Sequence, residues 1–207
     1  MTRPLPRLAC LLLPFAGLAA CAELRPHAAL PQAASVTVEA PEAWRQAATP
    51  ADAALLDKLP ETWARASAGR GGRRGALVDP RAGLARAAPS PGAYLCRFVS
   101  LGFAPPRARP DGFCFVGVEG ERLSLTVEAG PERLGGYLFD DKANACLVFL
   151  GTAAPRPRGV LRGYGEDLAA NVIGLFERIG PFRYRLAVPS RDGARLGLYE
   201  MTPAPVQ

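Results

Sequence analysis

From Gly92 onward, short runs of alternating apolar and polar residues are separated by turn residues, the texture of antiparallel β structure. Leu123, Leu125 and Val127 alternate with Arg122, Ser124, Thr126 and Glu128, as a strand with one buried face requires. Tyr184, Leu186 and Val188 alternate with Arg183 and Arg185 in the same way, and Phe182 extends that series. The pattern predicts strands near 93–101, 113–119, 122–128, 134–140, 145–151, 173–179, 182–188 and 195–201. Asp111-Gly112, Glu119-Gly120, Gly180-Pro181 and Asp192-Gly193 supply turns, and residues 166–171 add a helical turn between the fifth and sixth strands. Eight consecutive strands joined mostly by short turns point to an up-and-down barrel or a strongly curled sheet. The expected inward set is Tyr94, Phe98, Leu123, Leu125, Tyr137, Phe149, Phe182 and Tyr184, with Arg97, Arg122, Arg183 and Arg185 facing water. Side chains of that bulk fill an eight-stranded lumen, so no sizeable ligand cavity is expected.

The front of the chain has a different period. Thr49-Pro50-Ala51-Asp52 reads as a helix start, with a hydroxyl cap, proline at the first helical position and an acid in the first turn. Leu55, Leu59, Trp63 and Ala66 follow at helical spacing and form one apolar face, beside which Trp44 is expected to pack. Pro60 removes a backbone donor inside that pattern and predicts a kink or two short helices. Asp79-Pro80 can start a further short helix ending before Pro89. The fold class is therefore α+β, predominantly β: short N-terminal helices followed by a small antiparallel barrel or strongly curled sheet of about eight strands.

The first 40 residues carry no such pattern. Arg3 and Arg7 precede an apolar run of 13 residues, Leu8 to Ala20, shorter than the ~20 a spanning helix needs, so it reads as a secretory signal. It ends in Leu18-Ala19-Ala20-Cys21, which resembles a bacterial lipobox and makes Cys21 the lipidation site. The competing reading takes Ala20-Cys21-Ala22 as an ordinary small-x-small cleavage site and yields a soluble protein beginning at Glu23. Ala22 after the cysteine resembles the pattern for delivery to the outer membrane. Residues 21–40, rich in Ala and Pro, form a flexible tether, which holds His27, the one histidine of the chain. The expected organisation is thus 1–20 signal peptide, 21–40 tether, 41–91 helical segment and 92–207 β domain. The location is the envelope, lipid-anchored and facing the periplasm, with soluble periplasmic protein as the alternative.

Charge alters this picture little. The formal net charge is +6, and loss of Arg3 and Arg7 with the signal leaves +4. Such a balance suits anionic headgroups or cell-wall polymers outside the cytoplasm, and a nucleic-acid partner is not expected there. The glycines of "AGRGGRRGALVDP" fail the phosphate-loop spacing, since Arg74 stands where a glycine is needed and no strand precedes. The segment reads as a mobile basic loop.

In an oxidising envelope Cys96, Cys114 and Cys146 give one disulfide and one remaining thiol. Cys96 and Cys114 fall on the first two strands, where pairing position 96 with 114 also pairs Phe98 with Gly112. That hairpin geometry favours a 96–114 bridge, leaving Cys146 as a buried inert thiol in "ACLVFLG". With no histidine outside the tether, a cysteine nucleophile has no base and no Ser-His-Asp set forms. The acid pairs Asp140-Asp141 and Glu166-Asp167 have the composition of calcium ligands or glycosidase carboxylates, and equally of turn formers and helix caps. No catalytic site, metal or cofactor is expected.

The phrases "PGAYLCRFVSLG", "FCFVGVEG", "CLVFLG", "YGED" and "GLFERIGPFRYRLAVP" together resemble the bacterial family called domain of unknown function four-eight-nine-three. The resemblance spans Trp44 to Pro203 and is strongest in "ERIGPFRYRL". It implies a tryptophan-containing helical part before a β-rich part, and a cysteine pair at the places of Cys96 and Cys114. Pro60 departs from the family's continuous helix, and "GTAAPRPRG" lacks the acids of the corresponding loop. The family implies no activity. The leading expectation is a non-enzymatic envelope lipoprotein acting through its outer surface on a protein or cell-wall partner, in the manner of an inhibitor. The alternative is a lipocalin-like carrier of an apolar small molecule inside the barrel.

Overall fold

The computed structural model describes residues 43–68, 75–102, 107–108, 111–141, 145–156 and 159–205. Residues 1–20, expected as a signal, Cys21 and the rest of 21–40, expected as a tether with His27, and residues 69–74 of the expected basic loop lie outside them.

Three short helices lead: α1 (Ala43–Ala47), α2 (Pro50–Asp57) and α3 (Leu59–Ser67). Thr49 caps α2, its hydroxyl accepting from the Asp52 amide at 3.2 Å, with Pro50 at the first position. Pro60 stands in the first turn of α3, where its missing N–H costs nothing, so the expected break falls at Lys58 and makes two helices.

Nine strands follow: β1 (Gly92–Leu101), β2 (Arg107–Ala108), β3 (Gly112–Glu119), β4 (Arg122–Val127), β5 (Glu132–Asp141), β6 (Cys146–Pro155), β7 (Asn171–Gly180), β8 (Arg183–Pro189) and β9 (Leu196–Pro203). Each pairs antiparallel with its neighbour, and β1 pairs with β9 over eight positions, from Tyr94↔Pro203 to Leu101↔Leu196. The two-residue β2 sits beside β1 beyond the stretch covered by β3, so eight staves close the wall. The result is a closed eight-stranded antiparallel barrel, mostly β, behind short helices.

Two apolar cores lie on opposite faces of this wall. Inside are Tyr94, Phe98, Leu123, Leu125, Phe149, Phe176, Tyr184 and Met201, with Tyr184 stacked on Phe176 and edge-on to Tyr94. Outside, Trp44, Leu56, Leu59, Trp63 and Ala66 of the helices cover Val99, Phe139, Val148, Leu150, Ile173 and Leu198. This second core explains the strand texture. Where no helix covers the wall, β3 and β4 alternate between buried and exposed or part-exposed positions; where helices cover it, β6 is buried almost without interruption.

Several sequence expectations change. Tyr137 faces outward, because Leu123↔Leu138 and Val127↔Leu134 set the register of β5, and its hydroxyl donates to Glu119 at 2.7 Å. Phe182 is 73 % exposed: it occupies the β7–β8 turn with φ +51° rather than the strand. Arg185 points outward as its parity demands, yet it is fully buried, because α3 and the turn at 75–79 cover that face. The segment after Asp79-Pro80 is not helical; it runs in turns and extended chain, and the Leu84 amide donates to the Arg178 carbonyl. Residues 166–170 likewise form turns, with the Asp167 carboxylate accepting from the Ala169 amide.

Candidate functional site

All strands have one end at a common mouth: the last residues of β1, β6 and β8 and the first of β5, β7 and β9. In the opposite half the lumen is filled by the aromatic stack. Toward the mouth the inward positions turn small, with Gly136 on β5, Gly151 and Ala153 on β6, Gly174 on β7 and Gly197 on β9. A methyl on Gly136 would lie 2.2 Å from the Leu150 carbonyl oxygen, and one on Gly151 2.3 Å from that of Gly135. Only glycine lets these two strands bend so closely together.

The consequence is a cleft of about 490 Å³ that opens at the mouth, within the range of small-molecule sites. Phe98, Ala153, Val172, Val188 and Tyr199 give it an apolar floor, the Phe98 and Tyr199 rings meeting at 4.8 Å between centroids. Ser100, Glu132, Asn171, Ser190, Arg191 and Arg195 supply its polar groups, and Asp52 and Leu55 of α2 form one side. The expectation of a lumen without a sizeable cavity therefore holds in one half and fails in the other.

Asp52 is only 2 % exposed and organises the rim. One of its oxygens accepts from the hydroxyls of Tyr164 at 2.6 Å and Thr49 at 2.8 Å and from the Asn171 amide at 3.2 Å; the other faces Arg191 at 3.5 Å. Arg191 also donates to the carbonyls of Leu168 and Asn171, both at 2.7 Å. Burial, and then the bond to Asp52, push the Tyr164 hydroxyl above its ordinary pKa, so it stays a donor. Every oxygen of this carboxylate has partners, and the node serves to tie α2, the "YGED" turn and the β8–β9 turn into one rim. Arg65 of α3 adds a bond to the Gly193 carbonyl at 2.6 Å.

On the side wall, Glu200 accepts from both Arg97 and Arg183. Burial pushes its carboxyl upward, but the two guanidiniums outweigh this and hold it below the usual range.

The sequence-predicted residues distribute as follows. Cys96 and Cys114 form the disulfide, with Cα atoms 5.8 Å apart inside the barrel. Their register differs from the expected one, since Cys96 faces Gly112 and Tyr94 faces Cys114, so the bridge runs diagonally. Cys146 is a buried thiol outside the bridge, 3.7 Å from an Asp141 oxygen. The two acid pairs are at opposite ends of the barrel, Asp140-Asp141 at the closed end and Glu166-Asp167 near the mouth, and do not combine. Among the described residues no group of three or more His, Cys, Asp or Glu is placed to hold a metal. Sequence reading missed the cleft and with it Tyr199, Glu132 and Arg191. The signal that could have found them was the run of glycine and alanine at inward parity.

No curated protein matches this chain. Among solved structures, a redesigned β-barrel is similar at 11 % identity and a TM-score of 0.40, over 59 % of this chain and 99 % of that one. The model of the family described as Domain of unknown function (DUF4893) matches residues 44–201. That span takes in the helices, the disulfide and nearly the whole barrel, and the chain belongs to this family.

Proposed function

We propose that this protein is a non-enzymatic binding module of the bacterial envelope, held by lipid on Cys21 and facing the periplasm, that takes a small, largely apolar molecule into the mouth of its barrel. The observation that carries the reading is the cleft of about 490 Å³ with its floor of Phe98, Val172, Val188 and Tyr199 and a rim of polar groups. Such a site removes apolar ligand surface from water while the rim orients it. The Ser190 hydroxyl on the rim donates to Asp192 but is tied to the Arg195 backbone within the exposed β8–β9 turn, a turn-forming role that favours binding over catalysis.

The test is titration with the neutral fluorophore N-phenyl-1-naphthylamine. Saturable one-site binding is expected, weakened at least tenfold by Ala153→Trp, which places an indole in the cleft. Linear, non-saturable uptake, or identical binding by the variant, would remove the mouth from consideration. Lipidation is tested separately by mass spectrometry of protein from its native envelope. A diacylglyceryl-modified Cys21 at the new N-terminus is expected, and an unmodified chain starting at Glu23 would make the protein soluble.

A second reading, action through the outer surface on a protein or cell-wall partner, is favoured by the bare wall of β1 and β3. There Leu95, Phe113 and Phe115 are 40 to 50 % exposed side by side. Failure of the titration together with a specific crosslinked partner at these residues would favour it.

A further inference from the structure

The cleft floor holds a tyrosine hydroxyl that takes part in no hydrogen bond among the described residues. Tyr199 is 4 % exposed, its ring held between Phe98 and the wall, and it lines the cleft. Among the described residues, no group hydrogen-bonds its hydroxyl. Of the other tyrosines among them, Tyr94 donates to the Ser90 carbonyl, Tyr137 to Glu119 and Tyr164 to Asp52, while Tyr184, whose hydroxyl has no such bond, sits in the filled aromatic stack and does not line the cleft. Among the described residues the buried side-chain atoms left without a partner are Trp44 Nε1 and Arg178 Nε; the Tyr199 hydroxyl is not one of them, so it is reached from the cleft, and a ligand that displaces water there must supply an acceptor or leave the O–H unserved.

Glu132 lies close enough for its charge, after burial, to help hold the Tyr199 proton in place. The remaining charges are committed. Arg191 is spent on Asp52 and two carbonyls, and Arg195 pairs with Asp192 at 3.5 Å on the exposed rim. A carboxylate lowered onto the floor would therefore face Glu132, while the apolar lining of Phe98, Val172 and Val188 suits an uncharged body. A neutral group with one oxygen fits.

Resting on the mouth-binding reading, we infer that the ligand is a neutral apolar ring compound bearing a hydroxyl, whose oxygen accepts from Tyr199 at the cleft floor. The hydroxyl's own proton is then directed toward Glu132 or water. Both polar atoms at the floor are satisfied without introducing a net charge, and the ring lies against Phe98.

The experiment compares 2-naphthol with naphthalene by fluorescence titration of the full-length protein and of Tyr199→Phe, which keeps the ring and removes only the hydroxyl. Tyr199→Phe should weaken 2-naphthol about tenfold and leave naphthalene within twofold, the naphthalene result also showing that the variant retains its site. Equal effects on both probes, or none on 2-naphthol, would overturn the hydroxyl assignment while leaving mouth binding intact. If neither probe binds the unaltered protein, the mouth reading falls and this inference with it.

Discussion

Arg185→Met lowers the stability of the folded chain by about 3–5 kcal/mol, the cost of leaving a buried charge without its partner. Arg185 has no exposed surface. Its Nη2 and Nε donate to one oxygen of Glu177 at 2.5 and 3.2 Å, while Nη1 donates to the carbonyls of Ala76, Leu77 and Asp79 at 2.9, 3.1 and 2.7 Å. Its plane lies 4.5 Å from the centroid of the Trp63 ring. Methionine fills comparable volume but strands the Glu177 carboxylate and three backbone acceptors under the helical cover. For a chain of this size the loss corresponds to a melting temperature lower by roughly 6–20 °C. Thermal or urea unfolding measures it, and Arg185→Met/Glu177→Gln should recover part of the loss because the uncompensated charge is gone. A drop of less than 1 kcal/mol would show that the guanidinium does not hold the helices to the wall.

The second large effect is expected from the disulfide. Cys96 and Cys114 are separated by 18 positions, and in the chain-entropy model opening a loop near that size costs about 3 kcal/mol. Cys96→Ala/Cys114→Ala should therefore melt roughly 6–12 °C below the unaltered protein, with the midpoint no longer sensitive to reductant. Both sulfurs are buried in the inner core, so the bridge also holds β1 against β3 where only five residue pairs join them. Equal melting of the two proteins under non-reducing conditions would rule out a stabilising bridge.

What the sequence conveyed depended on whether a residue's environment is local. The alternation of Leu123, Leu125 and Val127 is decided by the strand itself, so β4 could be read directly; so could the cap of α2, where Thr49 and Asp52 are three residues apart. The bridge was legible as a pairing of strands but not in its diagonal register, which depends on the backbone at Gly112. Arg185 shows the limit most clearly. Its direction follows from parity, but its burial depends on Trp63 and the carbonyls near Leu77, more than 100 positions earlier. The cleft was illegible for the opposite reason: it arises from side chains that are absent. Attention to bulky residues picked out Phe98 and Phe149, while Gly151, Ala153, Gly174 and Gly197, which leave the space open, carry no period of their own.

Closure by β1 and β9 has a bearing on how the chain reaches this state. The seam joins residues about a hundred positions apart, so its eight pairs form only after the rest of the sheet has curled far enough to bring its edges together. Topologies dominated by such distant pairings fold slowly. Until the last strand docks, Val99 and Leu101 on one edge and Leu198 on the other stand beside unpaired backbone, a template for neighbouring chains. The helical arm precedes the barrel in sequence but settles on Phe139, Val148, Leu150 and Ile173 of β5–β7 as well as on the seam residues Val99 and Leu198, so its cover is complete only once those edges meet. Ribosomal synthesis from the N-terminus therefore leaves the barrel open along β1 until β9, its last strand, has emerged.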